Sequence, residues 1–300
     1  MPRPDPAVQA FEAHRPRLVR LAYRMLGSMA EAEDIVQEAW MRWQRADRDE
    51  VREPEAYLKR TVARLCLDAM KTARARREVY VGSWLPEPVA EPEDQEARAD
   101  ELTLTLMLAL ERLSPLERAA FLLHDVFDVP LDEIATTLGR EAAAVRQLAV
   151  RARRHVRQAR PRYKLAREEG ERIARAFFAA ATSGDVAALR AMLAENVVLR
   201  SDGGGKVLAF LNPILGLERV LRLFGSLHRK LVARRAEFIR PMWIDGLPGY
   251  VSRERDQVLQ TTALEIEDGR ITAIYITRNP DKLRHIANAI EATKDRGTPG

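Results

Sequence analysis

The hydrophobic period changes once along these 300 residues. Up to about residue 165, apolar side chains recur every three to four positions, as on the buried stripe of a helix. After about residue 168, beyond one or two further helices, they gather in short strand-like runs. A chain with that single switch is expected to fold as an all-helical part followed by an α+β part.

The helical part carries its own start and stop signals. Leu18, Leu21, Ala22, Met25 and Leu26 keep helical spacing until Gly27-Ser28. Ser28, with Glu31 three residues on, predicts the cap of a second helix through Ile35, Val36, Ala39, Trp40 and Trp43. A third begins near Pro54 and runs through Tyr57, Leu58, Val62, Leu65 and Ala69. Ser114-Pro115-Leu116-Glu117 is a further strong helix start. In the second part, a helix through Ile173 and Phe177 ends at Ser183-Gly184-Asp185, and a short one follows through Leu189 and Leu193. ENVVLRS, KVLAFL, EFIRPMWID and DQVLQTTALEIE then read as strands. Asp268-Gly269 joins the last of them to RITAIYITRN in a hairpin, and a curved antiparallel sheet is expected.

Charge comes in blocks. Glu31, Glu33, Asp34 and Glu38 form an early acidic patch. Lys59, Arg60, Arg64, Lys71, Arg74, Arg76 and Arg77 then face a single acid, Asp68. An acidic stretch with Pro86, Pro88 and Pro92 follows, and a second basic block runs from Arg140 to Lys164. The net charge of +5 says less than this distribution does. Acids Glu91, Glu93, Asp94 and Glu96 are therefore a candidate screen over the first basic block.

Leu131 to Ala149 fits a helix-turn-helix. Leu131, Ile134 and Leu138 supply the buried face of its first helix, and Ala135 is small where the helices approach. Gly139 suits the positive φ of the turn, and Val145 and Leu148 anchor the second helix. That helix would enter the major groove of DNA by its N-terminal half. Arg140, Ala143, Ala144, Arg146 and Gln147 would face bases, with Arg151, Arg153, Arg154 and Arg157 on phosphates.

The lone cysteine, Cys66, lies in an apolar helical pattern, so disulfides and thiolate metal sites within the chain are not expected. The N-terminal residues have no apolar core like that of a signal peptide, and no run of apolar residues approaches membrane-spanning length. A cytoplasmic protein without membrane contact, metal or cofactor is expected.

The order EDIVQEAWMRWQ, then PEAYLKRTVARLCLDAMKTARARR, then LDEIATTLGREAAAVRQLAVRARRHVR resembles the extracytoplasmic-function sigma factors. These have two helical modules, region 2 and region 4, joined by a linker. WLPEP (Trp84, Leu85, Pro86, Glu87, Pro88), DGGGK (Asp202, Gly203, Gly204, Gly205, Lys206) and NPDKL (Asn279, Pro280, Asp281, Lys282, Leu283) extend the likeness. They point to the subgroup whose C-terminal domain is a SnoaL-like α+β cone. The resemblance implies region 2 at 1–78, a linker at 79–101, region 4 at 102–164, the α+β domain at 165–292 and a tail at 293–300.

It also implies partners. Asp34, Ile35, Gln37, Glu38, Trp40 and Trp43 would dock on the β′ clamp helices of core RNA polymerase, the β subunit being the other polymerase partner. The two Trp also fit core packing. The basic block from Lys59 to Arg77 would hold the −10 element of promoter DNA, with a base pocket near residues 47–55. Region 4 would hold the −35 element, although Leu148 stands where many members carry a basic residue. The three motifs would let the α+β domain control the sigma modules in cis, in a chain monomeric when free. Asp202, His228, Asp256 and Arg278 are candidate pocket residues, but no acid–base pair declares itself by spacing. Ligand sensing, with a small molecule in the C-terminal domain, or a purely structural role is favoured over catalysis. A ligand-responsive helix-turn-helix regulator, or an enzyme with a DNA-binding appendage, is the competing reading.

Overall fold

A computed structural model describes residues 6–47, 51, 53–78, 80–90, 103–156, 165–230 and 235–296. The chain divides into two compact units. Met1–Val79 and Leu106–Ala159 form the first, and Tyr80–Thr105 and Arg160–Gly300 form the second. Both helical modules thus share one unit, and the segment joining them in sequence belongs to the other. Glu91, Glu93, Asp94, Glu96 and Arg157 lie outside the described residues, as do the side chains of Arg74, Arg76 and Arg77.

In the first unit α1 (Pro6–Leu26), α2 (Met29–Arg45) and α3 (Pro54–Glu78) pack together. Their core holds Leu18, Leu21, Met25, Val36, Leu58, Val62 and Cys66. Each such aliphatic side chain contributes roughly 1.5–3 kcal/mol by leaving water. The Ser28 hydroxyl accepts from the Glu31 N–H, so the break at Gly27 becomes a capped restart. α4 (Leu104–Leu110) leads to α5 (Pro115–Phe121), which opens with the full reciprocal Ser114–Glu117 box. A π-helical turn at Leu122–Val126 precedes α6 (Leu131–Leu138) and α7 (Ala142–Val156). Gly139 ends α6 at φ 62°, the left-handed conformation that a tight helix–helix turn needs.

The second unit carries α8 (Arg167–Ser183), α9 (Val186–Met192), α10 (Leu217–Lys230) and α11 (Arg284–Arg296) around one sheet. Its strands are β1 (Leu193–Asp202), β2 (Ile214–Leu215), β3 (Glu237–Ile244), β4 (Leu247–Arg253), β5 (Leu259–Glu267) and β6 (Arg270–Thr277). They lie in the order β2-β1-β6-β5-β4-β3. Phe177, Leu199, Phe224, Tyr250, Leu264 and Ile274 are among the residues that fill the space between helices and sheet.

Three expectations need correction. The sheet is mixed, because β1 pairs parallel with β6. A parallel pair needs a long crossover, and the excursion through α10 and β3–β5 supplies it. KVLAFL is no strand: the N–H groups of Lys206 and Val207 both turn back to Gly203 O, at 3.0 and 3.3 Å. β4 was hidden by Pro248 and Gly249, which read as breakers. Gly249 is there because a Cβ would meet Thr262 O at 2.1 Å on the neighbouring strand. Among the described residues, no helix is long and apolar enough to cross a membrane, and no cluster of metal-ligating side chains occurs.

Candidate functional site

The recognition helix presents the residues its pattern predicts. Arg140, Ala143, Ala144, Arg146 and Gln147 are exposed on one side of α7 and its approach. Val145, Leu148, Ala149 and Ala152 are buried on the other. Leu148 is therefore a core residue, which explains why no basic group stands there. Arg151 donates to Glu117 at 2.9 Å and Arg153 to Asp125 at 2.6 Å, while Arg154 is exposed. Two of the expected phosphate ligands thus already hold carboxylates of their own module.

On α2, Asp34 and Gln37 are exposed, and Ile35, Glu38 and Trp40 half-buried. Glu38 accepts from Arg42 at 2.6 Å, and the Trp40 ring lies 4.8 Å from that of Phe11. Trp43, expected on the same docking face, turns inward. It is 3% exposed and its indole N–H donates to Ala7 O at 3.0 Å. The burial of its large ring against Tyr57 outweighs any surface role.

The basic face of α3 is less open than its charges suggest. Lys59 pairs with Glu55 at 2.7 Å, and that hydrogen bond holds the Glu55 carboxyl below its usual range despite partial burial. Lys71 pairs with Asp68. Arg64 donates to two backbone carbonyls of α6, Thr137 O at 3.1 Å and Thr136 O at 3.0 Å. A cleft beside it is lined by Asp47, Val51, Glu53, Tyr57 and Arg60, where the sequence suggested a base pocket, and by Glu133 of α6.

The three short motifs converge on one carboxylate in the second unit. Asp202 ends β1 and is wholly buried. Its Oδ1 accepts from the Tyr80 hydroxyl at 2.6 Å and the Gly204 N–H at 3.0 Å. Its Oδ2 accepts from the Leu85 N–H at 2.8 Å and the Lys282 ammonium at 2.7 Å. Its backbone carbonyl takes the N–H groups of Arg278 and Asn279. Lys282, in turn, donates to Leu85 O and lies 4.4 Å from the centre of the Trp84 ring. Asn279 donates to the Tyr80 hydroxyl at 2.9 Å and caps the Asp281 N–H. Burial, with the Asp202 hydrogen bond and charge, drives the Tyr80 phenol upward and keeps it a neutral donor.

Close packing fixes the glycines between them. Gly204 has φ 63°, and a Cβ there would meet Asn279 Nδ2 at 2.2 Å. Lys206 reaches Asp281, which the Lys206 hydrogen bond and then that of Arg284 hold below its usual range. At the far end of WLPEP, His285 contacts Pro88 O at 2.8 Å and Glu87 at 3.2 Å. Pro86 and Leu283 are buried beside these contacts, and Pro280 and Gly205 are exposed. The chain continues to the turn after β3, where Val89 donates to the Asp245 carboxylate and accepts from the Asp245 N–H.

The candidate pocket residues do not assemble a reactive site. Asp202 is occupied as described, Asp256 pairs with Arg278 at 2.5 Å, and His228 Nδ1 faces Thr182 O at 3.1 Å. Sequence reasoning missed Tyr80 and His285, which carry no local motif of their own.

Comparisons with known proteins agree on both halves. The Sigma-70 region 2 family matches residues 10–76, and the Sigma-70 region 4 family matches residues 103–156. The ECF RNA polymerase sigma factor SigJ of Mycobacterium tuberculosis is 37% identical over 297 residues, covering 92% of this chain and 93% of the relative. The probable ECF RNA polymerase sigma factor SigI of the same species is 34% identical, covering 94% and 97%. The crystal structure of M. tuberculosis SigJ superposes with a TM-score of 0.73 at 34% identity, covering 92% of this chain and 98% of that one.

Proposed function

The chain belongs to the extracytoplasmic-function RNA polymerase sigma factors, and from that premise we propose that its α+β unit controls the two promoter-reading modules in cis through Asp202. As an alternative sigma factor, the chain binds core RNA polymerase and directs initiation at particular promoters. That work is done in the cytoplasm.

The observation that carries the proposal is the capture of the connector. Tyr80 and Leu85, from the segment that joins region 2 to region 4, both donate to Asp202. Residues 80–90 would otherwise give roughly 35–40 Å of extended reach between the modules. Bound along the α+β unit, they give none. A domain that holds or releases this segment therefore sets how far the two modules can separate.

The remaining roles follow the same reading. Asp34, Ile35, Gln37, Glu38 and Trp40 dock on the β′ clamp helices, and region 4 reaches the β subunit. Lys59, Arg60, Arg64 and Lys71 hold the −10 strand, with Tyr57 as a stacking surface for an unpaired base. Arg140, Arg146 and Gln147 read the −35 element, and Ala143 and Ala144 allow close approach of the helix. The α+β unit is not an enzyme in this reading, because Asp202, Asp256 and His228 are engaged in holding the fold.

The test is transcription from sigma-free core polymerase on the promoters upstream of this gene and its neighbours. Asp202→Asn and Lys282→Met should leave core binding intact and change specific transcript yield threefold or more. An unchanged yield, with the shift in Trp84 fluorescence showing that the connector is released, would overturn control through this junction.

A further inference from the structure

A single hairpin turn of the second unit holds both ends of the segment that joins region 2 to region 4. Asp245 and Gly246 connect β3 to β4, and Asp245 is buried. Its carboxylate accepts from the Val89 N–H at 3.2 Å, and its own N–H donates to Val89 O at 3.0 Å. Ala90 then bridges to Ile244. At the other end of the segment, the Leu104 N–H donates to Asp245 O at 2.7 Å. Thr103 rests on the glycine, where a Cβ would meet Thr103 Cγ2 at 2.9 Å. The chain leaves this turn at Ala90 and is back on it at Thr103.

We infer that the Asp245-Gly246 turn is a positioning element that fastens region 4 to the α+β unit at its first residues, so that residues 91–102 set no distance between the modules. This role rests on the control in cis proposed above and adds a second anchor to it. Asp202 takes the connector where it leaves region 2, and the turn takes it where region 4 begins.

Three observations favour the anchor over incidental packing. The Sigma-70 region 4 family match starts at Thr103, yet Thr103 to Thr105 group with the α+β unit. The first N–H groups of a helix have no acceptor within it, so Asp245 O fixes where α4 starts. The turn itself does not require such company. Asp268-Gly269 has φ 49° and 74°, against 44° and 76° at Asp245-Gly246, and nothing lies within 4 Å of a Cβ at Gly269.

Holding both ends on one turn changes what the length of the segment means. About ten added residues would lengthen a free tether by roughly 35 Å. Added to a closed loop, they leave its ends in place and make closure only about two- to threefold less favourable.

The experiment inserts about ten Gly and Ser residues between Asp94 and Gln95 of the full chain, with the turn intact or altered. Gly246→Ala drives a Cβ into Thr103, and Gly269→Ala imposes the same backbone strain on a turn that touches no connector. Specific transcripts are measured with core polymerase, and exchange of the Leu104 amide is followed in the free chain by mass spectrometry. With the turn intact, or with Gly269→Ala, the insertion should change yield by less than about threefold. With Gly246→Ala the same insertion should change it roughly fivefold or more. In that variant Leu104 should exchange roughly three- to tenfold faster, the effect of one lost hydrogen bond. Adding Thr103→Ser, which removes the clashing methyl and keeps the hydroxyl, should restore both. Equal responses of the two glycine variants would overturn the anchor, as would a large effect of the insertion on the intact turn. Absence of transcripts from every form, the unaltered chain included, would count against the sigma reading, while Leu104 exchange would still decide the anchor.

Discussion

The ammonium of Lys282 lies 2.7 Å from Asp202 Oδ2, and the two residues are the charged centre around which WLPEP, DGGGK and NPDKL meet. Lys282 is 13% exposed at its side chain and Asp202 not at all. Removing one member of a buried pair strands the other, at a cost of about 3–5 kcal/mol. Lys282→Met should fall at the low end, because Tyr80, Leu85 and Gly204 still donate to the carboxylate. Asp202→Ala should cost more, because it leaves the Leu85 N–H and the ammonium together without their acceptor. Urea unfolding followed through Trp84 fluorescence gives both values. Equal costs below 1 kcal/mol would mean that the pair is not what holds the connector.

Two glycines with nearly the same backbone make a sharper comparison. Gly139 has φ 62° and open space around it, and Gly204 has φ 63° with Asn279 against it. Gly139→Ala should cost only the left-handed penalty, about 1–2 kcal/mol. Gly204→Ala adds a contact at 2.2 Å with a side chain that also bonds Tyr80, and should exceed about 3 kcal/mol. Denaturant midpoints of the two variants decide it. If they match, Asn279 yields freely and DGGGK is a permissive turn.

The WLPEP contact with α11 should depend on pH. Burial lowers the pKa of His285, but the Glu87 hydrogen bond and charge, with Pro88 O and Asp245, outweigh it and raise the value above 6.5. A group whose folded pKa is raised stabilises fully below its unfolded value and loses that contribution as pH rises through the folded one. The second unit should thus be most secure below about pH 6.5 and weaken above it. His285→Gln should flatten the urea midpoint between pH 6 and 8. A wild-type midpoint that rises over this window would reverse the assigned sign.

The helices were readable because their signals are local. Ser28 caps the backbone three residues on, Ser114 and Glu117 complete a four-residue box, and Gly139 closes its own turn. The mixed sheet was harder. Asp245-Gly246 has a pair of positive φ angles within about 5° of those of Asp268-Gly269, yet Pro248 and Gly249 just after it masked the second strand of that hairpin. The junction was legible only as three motifs. Its centre needs Tyr80, Leu85 and Lys282, which lie 122, 117 and 80 residues from Asp202. No pattern along a single chain encodes such a meeting. Arg64 was read as a DNA ligand because its charge is visible in sequence, whereas its carbonyl partners 72 and 73 residues away are not.

The recognition helix offers a last test, because its arginines differ in what they already hold. Arg146 is exposed on the groove-facing side with Gln147, suited to a bidentate base contact. Arg146→Ala should cost about 1–3 kcal/mol of discrimination at one base pair, with little change elsewhere. Arg154→Ala should weaken all sequences alike and reduce the salt slope by about one. Arg151 must first surrender Glu117, whose carboxyl is held below the usual range against burial by the Ser114 hydrogen bonds and then by the Arg151 hydrogen bond and charge. Arg151→Ala should therefore lose less affinity than Arg154→Ala. Competition between single-base promoter variants, with core polymerase present and at several salt concentrations, separates the three. Uniform loss over all variants for Arg146→Ala would move that residue from the bases to the backbone.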